Sequence, residues 1–467
     1  MAISRRRFMQ HSAAMAAATL PLATATTAYG ANEKVRVAVV GVKGRGQSHI
    51  KGFGENVVAV CDCDMLTMGK VAERLGSVDL VQDFRQLLDR KDIDVISIAT
   101  PNHWHSLMTI WATQAGKDVY VEKPISHNVW EGRQAVNAAR KYGRIVQTGT
   151  QIRSSNSIRD AVAFVQGGKL GKIKYIVGTC YKRRKSIGLR ETPLRIPGHI
   201  DYDLWCGPAA KVDLYRPKMH YDWHWDFNTG NGDMGNQGIH QMDVCRWFLG
   251  AQELSPRVMS IGGRLGYVDA ANTANTQTVI HDYDEAPIIF ETRGLETDAY
   301  RGSRVGIVVQ CENGYVLVPS YHDAIAYDNE GTVVKKWTHY GNHYGNFLAA
   351  VKSRKHTDLY ADVLEGHLSS ALCHTGNISY QLGEKKPLSE ITTAVKSSER
   401  VSDSLSRMVE HLEANKVDVS GPELAIGPWL EMDPKTERFT NNEKANTMLT
   451  REYREGFEVP DLSGAKA

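Results

Sequence analysis

Val35-Arg36-Val37-Ala38-Val39-Val40-Gly41-Val42-Lys43-Gly44-Arg45-Gly46 is a β-branched run that breaks at once into three glycines. Val57-Val58-Ala59-Val60-Cys61-Asp62 is a second such run, ending in an acid twenty-one residues after Gly41. Together they read as a strand, a glycine turn, a helix and a second strand. Glycine is needed where a turn takes positive φ and where backbone must approach a pyrophosphate closely. The helix that follows offers N–H groups and its dipole to phosphates. The spacing is G-x-x-G-x-G, not the more familiar G-x-G-x-x-G, and three glycines alone are weak evidence. Their place at a strand end, with Asp62 closing the next strand, makes the reading a dinucleotide-binding unit. A carboxylate there hydrogen-bonds the adenine ribose and repels a 2′-phosphate, which favours NAD over NADP. Gly41, Lys43, Gly44, Gly46 and Asp62 are the candidate cofactor contacts. Arg45, within the turn, is also placed to touch a phosphate. The alternative is a domain of the same shape that binds another ligand.

Outward from that unit, Ile93 to Ala99, Val119-Tyr120-Val121 and Ile145-Val146-Gln147 are further apolar runs. Helical patterns such as Trp104 to Ala115 and Trp130 to Lys141 lie between them. That alternation predicts a doubly wound parallel sheet ending near Gly149. From Ile173 the strands lengthen and follow one another directly: Ile173 to Tyr181, Val258 to Ile261, Thr276 to Ile280, Ile288 to Arg293, Val305 to Cys311, Tyr315 to Val318 and Thr332 to Lys336. Asn313-Gly314 and Glu330-Gly331 are turn signals between such strands. The second domain is therefore expected to be α+β on a large, open, mainly antiparallel sheet. A helix pair at about Asn346 to Arg354 and Ala361 to Leu382 follows it. The tail after Gly421, with Pro422, Pro428, Pro434 and Pro460, reads as an arm on the surface. The expected organisation is a signal peptide over 1–30, the dinucleotide domain over 31–150, an α+β substrate and oligomerisation domain over 151–420, and the arm over 421–467.

With 467 residues, 42% apolar and 23% charged, the chain is an ordinary globular composition. Its formal charge is +3, and Arg5, Arg6 and Arg7 account for that excess in a first stretch without acids. The remainder is near neutral, which argues against a nucleic-acid partner. The basic run Lys182-Arg183-Arg184-Lys185 is either a solvated face or a sugar- or phosphate-facing site. Ser4-Arg5-Arg6-Arg7-Phe8-Met9 is a twin-arginine pattern, followed by an alanine-rich stretch from Ala13 to Ala28 too weakly apolar to span a bilayer. Cleavage before Ala31, passage through the twin-arginine export machinery and a periplasmic or otherwise exported protein without a membrane span are expected. An uncleaved or lipid-surface form is the alternative. Seven cysteines are an odd number. Cys61 and Cys63 are too close to bridge without distortion, and most of the seven read as small buried hydrophobes.

Thr100-Pro101-Asn102-His103-Trp104-His105 follows the third strand and Glu122-Lys123-Pro124 the fourth. In an open parallel sheet, ligands bind over those strand ends. On these motifs the chain resembles the glucose–fructose oxidoreductase and inositol dehydrogenase family (Gfo/Idh/MocA): a glycine turn, then Thr-Pro-Asn, then Glu-Lys-Pro, then an open-sheet domain. The resemblance spans essentially the chain after the signal. The family also carries an Asp and a His four apart at the start of a helix. In Gly232-Asp233-Met234-Gly235-Asn236-Gln237-Gly238-Ile239-His240-Gln241-Met242-Asp243, His240 matches the histidine and Asn236 replaces the aspartate. A spacing of four would put both on one helical face. Asn236 can orient a hydroxyl but cannot take a proton, so acid–base work shifts to Lys123 and His240. Asp243, three beyond His240, is placed for an Asp–His contact.

The resemblance implies hydride transfer between a carbohydrate secondary alcohol and NAD, with Lys123 relaying the proton, His240 sharing that transfer or fixing the hydroxyl, and Glu122 orienting. Thr100, Pro101, Asn102, His105, Glu122, Lys123 and Gln151 join the cofactor contacts, and Arg153 is a candidate for nicotinamide or substrate. Trp205 and Trp225, in Asp201-Tyr202-Asp203-Leu204-Trp205-Cys206-Gly207-Pro208 and Trp223-His224-Trp225-Asp226-Phe227, look like the exported branch of the family and suit either sugar stacking or packing. His103 with His105, and His220 with His224, lack a third ligand of evident geometry, so no metal is expected. The family's open sheet implies a homodimer or homotetramer. Export implies a tightly held cofactor recycled within a turnover. That suits an oxidoreductase, or a redox-neutral glycosidase or lyase working through a transient keto-sugar. The glycosidase branch carries Glu-Val-Pro where this chain has Glu122-Lys123-Pro124, which favours the oxidoreductase. A non-catalytic sugar sensor with NAD as structure is the third reading.

Overall fold

The computed structural model describes residues 34–464. The twin-arginine pattern and the expected cleavage point lie outside the described residues. The β-branched runs that open the chain form β1 (Val37–Val40) and β2 (Val57–Cys61), followed by β3 (Asp79–Val81), β4 (Val95–Ile98), β5 (Asp118–Val121) and β6 (Val146–Thr148). All pairings are parallel, in the order β3-β2-β1-β4-β5-β6. This is the doubly wound arrangement, with the crevice at the β1/β4 switch point. β1, β4 and β5 are buried along their whole length, as strands covered by helices on both faces must be. β3 has no counterpart in the apolar runs, because two of its three residues are exposed at the sheet edge.

The second sheet comprises β7 (Ile173–Tyr181), β8 (Arg257–Gly263), β9 (Thr276–His281), β10 (Ile288–Arg293), β11 (Val305–Cys311), β12 (Gly314–Val318), β13 (Ala324–Tyr327), β14 (Val333–Trp337), β15 (Glu384–Lys386), β16 (Leu424–Ile426), β17 (Leu430–Asp433) and β18 (Arg438–Phe439). The order is β14-β13-β12-β11-β7-β10-β9-β8-β16-β15, with β17 and β18 joined at β8. Pairing is antiparallel except for β7 with β10, which are parallel. A parallel pair needs a long crossover, and the chain between these two strands supplies it. That crossover builds much of the site. One face of the sheet packs on the helices Asn156–Gln166, Gly238–Leu249 and Val363–Gln381, through Ile176, Phe290, Ile307, Ile239, Phe248 and Leu372. The opposite face is not bare. Met259, Ile261 and Ile280 pack against Ile391, Val395, Leu405 and Met408 of the helices Leu388–Val395 and Glu399–Ala414.

The helix Val363–Gln381 is held against the first domain. Val363 belongs to the core of that domain, and Ser370 Oγ accepts from the Ile125 amide at 3.2 Å. Gly366 lets it lie on β6, since a Cβ there would stand 2.1 Å from Thr148 Oγ1. The tail departs from a surface arm. β16 and β17 extend the sheet along β8, and Phe457, Val459 and Leu462 pack into the core of the first domain. Pro422 and Pro434 lie in turns and Pro428 and Pro460 in extended links between short buried segments, not in a chain lying loose. All seven cysteines are free. Among the described residues no helix is long and apolar enough to cross a membrane. Phe457 meets the Trp104 ring edge-on at 5.6 Å. Phe457→Ala should lower unfolding free energy by about 3 kcal/mol in a denaturant titration, whereas a surface arm would leave it within about 0.5 kcal/mol.

Candidate active site

Gly41 leaves β1 with φ +80, and a Cβ on it would stand 2.7 Å from the Ala99 carbonyl. Gly46 is as constrained: its Cβ would fall 1.9 Å from Gly41 O. These two glycines press the turn and the first helix, Gly46–Phe53, onto the end of β4. Gly44, at φ +60, has nothing within 4 Å of where a side chain would be, so its backbone is bare. Asp62 closes β2 with both oxygens oriented by backbone. Oδ2 accepts from the Val42 amide at 2.9 Å and Oδ1 from the Asp64 amide at 3.0 Å. Burial pushes the Asp62 carboxyl up, and those two amides work against it.

These groups line one cleft of about 650 Å³. It receives Gly41, Lys43, Gly44, Arg45, Asp62, Thr100, Pro101, Asn102, His105, Glu122, Lys123, Gln151, Trp205, Asn236 and His240. A bare glycine backbone at one strand end and a fixed carboxylate at the next fit the pyrophosphate and adenosine ribose of a dinucleotide.

Glu122 lies at the centre of the cleft. Arg45 Nε donates to its Oε1 at 2.9 Å, His49 Nε2 at 3.1 Å and Gln151 Nε2 at 3.3 Å. Burial opposes the Glu122 charge, but the His49 hydrogen bond and the charges of Arg45 and Lys123 outweigh it and hold the carboxyl well below its usual range. Arg45 thus spans from the glycine turn to Glu122. Lys123, next along, donates from Nζ to the Asn236 carbonyl at 2.6 Å. Burial lowers the Lys123 pKa; Glu122 opposes that shift and Arg45 adds to it. Burial, then the Lys123 charge, hold His240 well below its usual value, so its ring is neutral. His240 Nδ1 is buried without a protein partner, and the ring packs against Tyr321 at 5.0 Å. Asn236 and His240 do not share one helix. Asn236 ends the helix Gly232–Asn236, and the next begins at Gly238. Both still line the cleft, and Gly238 between them fits tightly against Phe290, where a Cβ would stand 2.9 Å away.

Several predicted contacts have other work. Gly46 is buried under the turn and does not line the cleft. Arg153 and Asp243 pair with each other, both Nε–Oδ distances being 2.9 Å, and Asp243 also accepts from Ser369 Oγ. Arg153 also pairs with Glu365 at 3.0 Å, and neither Arg153 nor Asp243 lines the cleft, so Asp243 makes no contact with His240 of the kind their spacing suggested. Trp225 is buried beneath Arg264, 4.7 Å from its ring centroid. Trp205 reaches the cleft wall but stacks on Tyr202 at 5.6 Å, so packing takes most of its surface. His105 stands between the carbonyls of Thr100 (2.8 Å) and Pro124 (2.6 Å) and pins two strand-end turns together. Within the basic run, Arg184 reaches inward to the buried Asp233, while Arg183 pairs with the exposed Glu296. Among the described residues no group of three His, Cys, Asp or Glu side chains could hold a metal ion.

The cleft has other walls, of which His220 and the Trp223 stretch carry a signal in the sequence. Gln82, Asp83, Phe84 and Arg85 follow the unread β3. His220, Tyr221 and Trp223 come from the crossover, and Tyr321 from the bend after β12. Gln237 was the most accessible of the rest, being the neighbour of Asn236; its Nε2 donates to Tyr321 OH at 3.0 Å. Gly149 also carried a signal, as the residue that ends the parallel unit. A Cβ on it would stand 2.7 Å from Glu122 Oε1. Gly149→Ala should therefore displace the Glu122 carboxylate and destabilise the protein by about 1–3 kcal/mol, measured by chemical denaturation. A crystal structure of the variant should have the Arg45–Glu122 contact broken.

Comparison with known proteins agrees with this geometry. Residues 35–150 match the family model described as an oxidoreductase family, NAD-binding Rossmann fold. Residues 171–409 match that described as an oxidoreductase family C-terminal alpha/beta domain. A glycosyl hydrolase family 109 protein of Shewanella pealeana is 36% identical over 125 residues, 23% of this chain and 27% of that protein. The scyllo-inositol 2-dehydrogenase (NAD(+)) of Bacillus subtilis is 31% identical over 150 residues, 31% of this chain and 44% of that one. The chain thus spans less than half the length of these curated relatives. The WlbA dehydrogenase of Bordetella pertussis, solved with NADH and UDP-GlcNAcA, shares the fold at a TM-score of 0.55 and 18% identity, covering 73% of this chain and 95% of that one. With both halves matched in order, the chain belongs to the Gfo/Idh/MocA oxidoreductase family, and its first domain is the NAD-binding Rossmann domain of that family.

Proposed function

We propose that the protein oxidises a secondary alcohol of a carbohydrate, with Lys123 accepting the hydroxyl proton. The observation that carries this is a buried lysine amine at the end of β5, in the same cleft as the glycine turn, with its pKa lowered by burial. An amine must be neutral to act as a base, and burial favours the neutral form. NAD, when bound, supplies the hydride acceptor. Gly41, Gly44 and Lys43 hold its phosphates and Asp62 its adenosine ribose. Glu122 fixes Arg45 and stands beside Lys123. His240, neutral and with a free ring nitrogen, hydrogen-bonds a substrate hydroxyl or shares the proton, and Asn236 orients it. A carbohydrate substrate is supported by the names of relatives, among them the scyllo-inositol dehydrogenase and a levoglucosan dehydrogenase of Pseudarthrobacter phenanthrenivorans, 30% identical over 182 residues. The twin-arginine pattern supports an exported protein that keeps its NAD through turnover.

The glycosyl hydrolase family 109 names favour a second reading, in which a sugar carbon is oxidised transiently and a glycosidic bond is lost without net redox change. Absorbance near 340 nm separates the two. Sustained reduction with a sugar supports the oxidoreductase, and aglycone release without net reduction supports the glycosidase.

Lys123→Ala should lose about 10²- to 10⁴-fold in kcat while keeping bound NAD; full turnover in that variant would end the assignment. Asn236→Asp would add a carboxylate to the cleft that Lys123 also lines, at the residue whose backbone carbonyl accepts from the Lys123 Nζ. The added charge favours the ammonium, so the acidic limb of kcat/KM should move to higher pH by about one unit or more. A limb that stayed in place or moved down would show that Lys123 is not the titrating base.

A further inference from the structure

The crossover from β7 roofs the cleft and is tied down at the end of β2. The Met65 amide donates to the His199 carbonyl and the Asp201 amide to the Cys63 carbonyl, each at 3.0 Å. His199 Nδ1 and His220 Nε2 reach the two oxygens of Asp64 at 2.9 and 3.2 Å. Directly after His220 the backbone doubles back. The Asp222 amide donates to the His220 carbonyl at 2.9 Å, and Tyr221 between them has φ 66 and ψ −47. This is a γ-turn of the rare, positive-φ sense, strained for any residue with a bulky side chain. Glycine would adopt it freely.

Packing does not account for the tyrosine, which is 56% exposed and lines the cleft. The side chain is nevertheless held. Arg184 Nη1 donates to its hydroxyl at 3.1 Å, and Arg184 is itself clamped on Asp233, with Nε–Oδ2 2.7 Å and Nη2–Oδ1 2.5 Å. Asp233 sits on the short helix that carries Asn236, so the hydroxyl is anchored on the Lys123 side of the roof. From behind, the His224 ring packs at 4.7 Å and 64°. A strained backbone, an exposed ring and a fixed hydroxyl together describe an aromatic face presented to a ligand.

We infer that Tyr221 is a substrate-binding residue whose ring is the stacking platform for a pyranose, and so a determinant of which sugar is accepted. This rests on the carbohydrate reading above and adds the residue that selects the ring. The apolar C–H face of a pyranose lies on the tyrosine ring, and Arg184 holds that ring in one orientation.

The test uses the NAD-loaded protein and a panel of methyl pyranosides, with binding followed by calorimetry and oxidation at 340 nm. Tyr221→Ala and Tyr221→Gly are expected to lose at least tenfold in affinity and to raise KM, with NAD content per chain unchanged. Tyr221→Phe, which keeps the ring, should fall between them and wild type. Tyr221→Gly carries a further signature: its Tm should equal or exceed that of wild type, because glycine relieves the turn. Pyranoside affinity within twofold of wild type in Tyr221→Ala overturns the inference alone, provided wild type oxidises the sugar. Loss of NAD rather than of sugar affinity also overturns it, by assigning the ring to the cofactor. A wild-type protein that binds no pyranoside overturns it together with the carbohydrate reading.

Discussion

Everything at the reacting end of the cleft is arranged around one buried carboxylate. Glu122 is 4% exposed at the end of β5, and a charge so placed must be partnered or protonated. Its partners come from separate parts of the chain: Arg45 from the glycine turn, His49 from the first helix and Gln151 from beyond β6. Gly149 is the empty space that lets it sit there. The Glu122 charge therefore ties three strand ends into one rigid floor. It also places a negative charge beside Lys123, while Arg45 places a positive one. These act in opposite directions on the lysine, so burial decides the outcome and lowers its pKa.

The contrast with Arg153 and Asp243 is instructive. Both are charged residues near sequence motifs, which is why Arg153 reads as a nicotinamide or substrate contact and Asp243 as a partner of His240. The structure pairs them with each other, Asp243 also with Ser369 and Arg153 also with Glu365, in a buried network that does not line the cleft. Asn236 and His240 remain at the cleft although their helix is broken between them, with Gly238 packed tightly on Phe290 just after the break.

The legible parts of the fold and site were those fixed locally. The glycine turn, Asp62, Thr100-Pro101-Asn102 and Glu122-Lys123 all lie at ends of buried parallel strands, and continuous β-branched runs announce such strands. β3 was unreadable because an edge strand with two exposed residues has no apolar pattern, and the wall from Gln82 to Arg85 was lost with it. The tail was misread for a related reason. Its buried residues come in pieces too short to show a period, such as Leu430 with Met432 and Phe457 with Val459. Tyr321 and Tyr221 were invisible because long-range contacts alone bring them to the cleft, whereas the Trp223 stretch beside Tyr221 showed its aromatic character but not its place.

The roof explains how a strained turn can persist at the mouth of the site. A positive-φ tyrosine relaxes unless its surroundings over-determine it. Here the residue before it is held by Asp64, the same side chain that caps the helix Met65–Leu75 by accepting from the Thr67 amide. The residue three beyond it, His224, donates from Nδ1 back to the Tyr221 carbonyl at 2.5 Å. The side chain is fixed through Arg184 to Asp233. One end of this arrangement belongs to the dinucleotide domain and the other to the helix bearing Asn236, so the turn is braced from both walls of the cleft. Relaxing Tyr221 would mean releasing a helix cap on one side or a buried ion pair on the other. That is why the ring stays exposed on the cleft wall.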